Sequence, residues 1–215
     1  MKRLLLLTLL ISLASITAFA QKPIRCRAPK FVKPANQYRG DVKHRARGAE
    51  TGQSISVSDM YRFPDVAVDA VNAPENKHRA MPGSNETETF TLDALLQQAK
   101  VEGNDCEIHL EFSQTAGAQT RRVIVEVPPD ADVHSDYQTI LRLIHSRFPK
   151  VKVLGPDVPF RFAKPVHMKI TGLGFFDGVH KHFAQTEGGN GGHGSQAVQT
   201  FWELHPAWNV QVLTP

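Results

Sequence analysis

Two groups of polar residues carry a spacing that could do chemistry. Asp105, Glu107 and His109 lie two apart, as do Glu203 and His205, so along a β-strand each set projects from one face. Asp177 and His180 close a glycine-broken apolar run, and His193 sits in the very glycine-rich segment Gly188–Gly194. Imidazole with carboxylate is the donor set of zinc, manganese, iron or nickel. Three protein ligands with one open position would make a site able to activate water. The candidate ligand or polar-network residues are therefore Asp105, Glu107, His109, Asp177, His180, Glu203 and His205. Of these, His109, His180 and His205 are the candidate ligands of one divalent transition metal, and Glu107 or Glu203 the candidate general base of a metal-dependent hydrolase. The same residues also fit a purely structural network, in which half-buried histidines pair with Asp177 or Glu203 and fix strand register. No pair of histidines flanks a glutamate at helical spacing, so both readings stay open. His44, His78, His134 and His145 read as surface or helix-face residues, and His180-Lys181-His182 as a solvated turn.

Other chemistries find less support. No serine sits in a glycine elbow, and the glycine-rich segment lacks the Lys-Ser/Thr of a phosphate loop, so it reads as a hairpin connection.

The elements that must position these residues are mostly strands. Cys106, Ile108, Leu110 and Phe112 alternate with Asp105, Glu107, His109 and Glu111, which predicts a half-buried strand with one acidic face. Val123, Val125 and Val127 predict a second strand, ended by Pro128-Pro129. Tyr137, Ile140, Leu141, Ile144 and Phe148 form the stripe of a helix, with Ser135 and Gln138 as its expected capping box and Pro149 as its stop. Val166–Phe176, broken by Gly172 and Gly174, predicts a strand with a bulge or tight corner, and a last strand runs from Thr200 to about Val212. Thr89–Val101 fits both periods, strand and helix. Read as a strand, it completes the order of the OB-fold: five strands closing a barrel, with one helix between the third and fourth. The alternative is an α+β sandwich in which Thr91–Lys100 is helical. The expected class is a mainly β, OB-like five-stranded barrel over residues 86–213, preceded by a basic, loosely ordered arm and lead-in over 21–85.

Residues 1–20 have the layout of a signal peptide, with Lys2 and Arg3 before an apolar run and Ala18-Phe19-Ala20 as a cleavage site. The expected location is the periplasm or the extracellular space, and no later segment of the chain is apolar enough to be a transmembrane span. Without that segment, residues 21–50 carry nine basic residues against two acidic, a net of +7, while 51–215 carry 14 against 19, a net of −5. The arm is thus suited to an anionic surface. The acidic strand face, by contrast, would repel phosphate and argues against nucleic acid on the barrel. Outside the cytoplasm Cys26 and Cys106 can form one bridge, and a buried free thiol at Cys106 fits equally well.

Four segments taken together resemble a family of small exported bacterial proteins of unknown function. They are Gly103-Asn-Asp-Cys-Glu-Ile-His-Leu110, Arg122-Val-Ile-Val-Glu-Val-Pro128, Gly172-Leu-Gly-Phe-Phe-Asp-Gly-Val-His180 and Trp202-Glu-Leu-His-Pro206. The resemblance spans roughly residues 86–212. The family commonly has valine where this chain has Ala207. The resemblance implies export and a β-rich, barrel-like fold, and it supplies no catalytic residues.

Overall fold

A computed structural model of the chain describes residues 38–117, 119–150 and 157–213. Its centre is a closed barrel of five strands: β2 (Thr89–Val101), β3 (Ile108–Ser113), β4 (Arg122–Val127), β5 (Phe160–Phe176) and β6 (Val198–Val212). A short strand β1 (Gln53–Ile55) adds to β2 in parallel. Around the barrel the order is β2-β3-β4-β6-β5, and β5 returns to pair with β2. Only β4 and β6 run parallel within this ring. This is the expected OB-like order, with helix α4 (His134–Arg147) between its third and fourth strands.

Thr89–Val101 is a strand along its whole length, which removes the sandwich alternative. Phe90, Leu92, Ala94 and Leu96 all point into the core, and pairing with β3 on one side and β5 on the other satisfies the backbone that a helix would have satisfied internally. The register of β5 against β6 shifts between Gly172 and Gly174, the expected bulge. Glycine is needed at 174 because a Cβ there would stand 2.2 Å from the Asn85 carbonyl oxygen.

α4 plugs the barrel. Tyr137, Ile140, Leu141 and Ile144 are buried in one core with Ile108, Leu110, Val123, Val125, Trp202 and Leu204, and the Tyr137 hydroxyl donates to the Cys106 carbonyl at 2.8 Å. The expected capping box at Ser135 does not form. A 3₁₀ turn (Ala131–Val133) runs straight into the helix, so Ser135 lies inside it and Val133 caps without a side-chain bond.

The described part of the 21–85 arm and lead-in, expected to be loosely ordered, is seated on the barrel from residue 38 on. The Arg39 guanidinium makes a two-pronged pair with Glu86, at 2.6 and 2.7 Å, with both side chains buried. The Glu86 carboxylate also accepts from the backbone of Met81 and Phe176, at 2.9 and 3.0 Å. Short helices α1 (Gly40–Lys43), α2 (Val57–Met60) and α3 (Val68–Val71) contribute Val42, Met60 and Val71 to the buried set. Scattered prolines hide this packing from any periodicity: the segment is held by a few anchors rather than by a face. Cys106 has no free thiol, which overturns the free-thiol alternative, and the pairing expected with Cys26 concerns a residue outside the described residues.

Candidate functional site

The barrel's outer face over β3, β4 and β6 carries the polar residues. Register places His109 beside Glu126 and Ile124 beside Glu203, which sets Glu126 alongside His205 across the parallel pair. All seven residues singled out by spacing converge on this face or its rim. The acidic strand face, expected to be solvent-exposed, is buried: Glu107 and Glu111 are 0% exposed and His109 5%. It is covered by the segment carrying Lys43 and His44 and by the turn with His193.

The side chains form a chain of near contacts. His109 Nδ1 lies 3.0 Å from Glu126 Oε1, and His205 Nδ1 lies 2.9 Å from Glu126 Oε2. His205 Nε2 is 3.4 Å and His44 Nε2 3.2 Å from Glu107 Oε1. Lys43 Nζ stands 3.8 Å from both Glu107 and Glu126. On the other flank, His193 Nδ1 is 3.5 Å from Asp177 Oδ2 and from Glu203 Oε1, and His180 Nδ1 bonds Asp177 Oδ2. Asp105 sits at the edge, where its Oδ1 accepts from the Glu107 backbone at 3.1 Å.

Burial opposes charge on the groups whose titration is shifted, and their neighbours outweigh it on most. Although burial alone would pull it down, His205 is raised well above the usual histidine range by Glu107, Glu126 and Glu203. Against the same penalty, the neighbouring carboxylates Glu111 and Glu126 lift His109 to about 10, and Asp130 and Glu107 lift His44 to about 9. Glu126 and Asp177, although buried, are held well below the usual carboxylate range, Glu126 chiefly by Lys43 and His109, Asp177 by His180 and His193. Glu203 goes the other way, raised by burial and by Glu126. Burial and Glu107 raise Asp105 to about 6.

Three sets of three side chains bring one donor atom each within 4.8 Å of one another: Glu107–Glu126–His205, Glu102–His109–Glu126 and Asp177–His180–His193. His109, His180 and His205, expected together around one ion, fall one in each set, because they stand on three different elements along the face. Several buried donor atoms stand beside oppositely charged groups without forming an aligned hydrogen bond: both oxygens of Glu107, both ring nitrogens of His205, Nε2 of His109 and of His193, and Oε2 of Glu203. Most of the cluster lines a cavity of about 200 Å³.

Some participants escaped the sequence. Glu126 had a signal: it alternates with Val125 and Val127, so its outward face was readable, but its pairing with His109 needed the strand register. Lys43 and His44, expected as arm and surface residues, reach the cluster from α1 across a sequence separation that no local pattern encodes. His180 and Lys181 belong to helix α5 (Gly178–Glu187) rather than to a solvated turn. Asp177 caps this helix, accepting from the Val179 and His180 backbone at 3.0 and 3.1 Å, while Lys181 is buried and bonds Asp65 and the Val66 carbonyl. Gly191 has φ +62, and a Cβ there would meet the His180 carbonyl oxygen at 2.1 Å, so glycine lets the His193 turn close on α5. No protein-family model matches this chain, and no curated protein matches it.

Proposed function

We propose that the protein is an exported OB-like binding or structural module that holds one divalent transition metal on the outer face of its barrel. Export rests on the signal-peptide layout of residues 1–20; among the described residues no helix is long and apolar enough to cross a membrane. The +7 arm then becomes a contact for an anionic surface.

The observation that carries the metal reading is the set of buried donor atoms that face one another without an aligned hydrogen bond. A buried polar group left unbonded costs about 1–3 kcal/mol, and more if charged. Glu107 and His205 together place four donor atoms on side chains that are 0% exposed, and none forms an aligned hydrogen bond although opposite charges stand 2.9–3.8 Å away. The 3.4 Å between His205 Nε2 and Glu107 Oε1 matches the roughly 3.4 Å between donors around a tetrahedral ion with bonds of about 2.1 Å. Glu107, Glu126 and His205 are thus the ligands favoured for the ion, in the most deeply buried of the three sets.

The second reading, a metal-dependent hydrolase, is favoured by the other flank. Asp177, His180 and His193 lie at the rim, where the His180 side chain is 39% exposed, so an ion there would keep a position open to water. Glu203, 3.5 Å from His193 and raised by burial and by Glu126, is placed to take a proton from that water.

Thermal unfolding with and without chelator separates metal from network. Bound metal stabilises the folded state, by about 2.7 kcal/mol at a hundredfold excess over its dissociation constant. The melting temperature of the native protein is expected to fall on chelation, and that of His205→Ala to be unmoved by it. Equal destabilisation of His205→Ala with and without chelator, beside a wild type indifferent to chelator, would leave only the structural network.

A further inference from the structure

On the same side of the barrel, beyond Glu111, lies a second cavity of about 430 Å³ whose lining holds Arg121, Arg122 and Arg161 and no carboxylate. Each guanidinium is held in place by a different device. Arg122 donates to Glu111 Oε2 at 3.0 Å, and its Nε is buried with no partner. Arg161 donates through Nε to Gln98 Oε1 at 3.1 Å, and no other side chain among the described residues bonds its terminal nitrogens. Arg121 lies over the Tyr61 ring, 5.4 Å from its centre, and no carboxylate among the described residues pairs with it. Glu111 also accepts from Ser195 N and Oγ, at 2.7 and 2.6 Å, so it neutralises Arg122 from behind without entering the cavity. Two uncompensated guanidiniums therefore face a space within the range of small-molecule sites, about 300–1,000 Å³.

We propose that this cavity is an oxyanion-binding site, taking a phosphate, sulfate or carboxylate group of a small polar molecule. Guanidinium forks match planar and tetrahedral oxyanions with paired donors, and fixing them beforehand removes part of the ordering cost of binding. Gln196 and Gln199 on the same lining supply neutral amide groups for the rest of the ligand. The site is separate from the metal cluster, since the two cavities share no lining residue, and it does not depend on a metal being present.

Calorimetric titration of the full protein, stripped of metal and freed of chelator, with inorganic phosphate, inorganic sulfate and glucuronate at constant ionic strength tests this. Saturable binding of at least one of the three is expected, and whichever binds identifies the oxyanion. Arg121→Ala/Arg161→Ala should weaken it at least tenfold without changing the melting temperature, since both residues are exposed. Arg161→Glu serves as an independent single variant and should abolish it. Absence of saturable binding for all three anions, or wild-type affinity in these variants, would overturn the proposal.

Discussion

Glu86→Ala is expected to destabilise the protein by about 3–5 kcal/mol, the cost of leaving one partner of a buried ion pair uncompensated. The carboxylate is 0% exposed and receives four bonds, two from Arg39 and one each from the Met81 and Phe176 backbone. Its removal strands a buried guanidinium and two backbone donors at once. Because Arg39 precedes α1 and Phe176 ends β5, the pair ties the lead-in to the barrel. Denaturant unfolding of Glu86→Ala beside Arg39→Ala measures this. Losses of less than about 1 kcal/mol in both variants, the scale of an exposed pair, would show that residues 38–88 do not hold the fold together.

Leu141→Ala is the second large effect, at about 2–5 kcal/mol, from lost transfer energy and the cavity left behind. Leu141 is 1% exposed and belongs to the buried stripe of α4 that closes the barrel. Arg142, its exposed neighbour on the same helix, serves as the control: Arg142→Ala should stay within about 0.5 kcal/mol of wild type. Similar small losses in both would mean that α4 is not the plug of the core.

These two effects mark what local pattern could and could not convey. The plug was legible because Tyr137, Ile140, Leu141 and Ile144 repeat at helical spacing, and Pro149 marks the stop. The barrel order was legible because Val123, Val125 and Val127 alternate and the helix falls between the third and fourth strands. The Arg39–Glu86 tie was not, since it joins residues 47 apart in the chain through one contact. The cluster divides in the same way. Glu107, His109, Glu203 and His205 were legible from alternation within single strands. Lys43, His44 and the split of three histidines into three sets depend on how separate elements stack, and the burial of the acidic face depends on what lies over it.

Metal content measures directly whether the barrel face holds an ion. Protein purified without chelator should carry about one equivalent of a divalent transition metal per chain, since a preformed donor set of this kind holds its ion through purification. A chelator-dialysed control should carry none, and His205→Ala should lose it. Native protein with the same trace metal as the dialysed control, failing also to take up added zinc or manganese, would contradict the metal reading and leave the buried histidines and carboxylates as the framework of the barrel face.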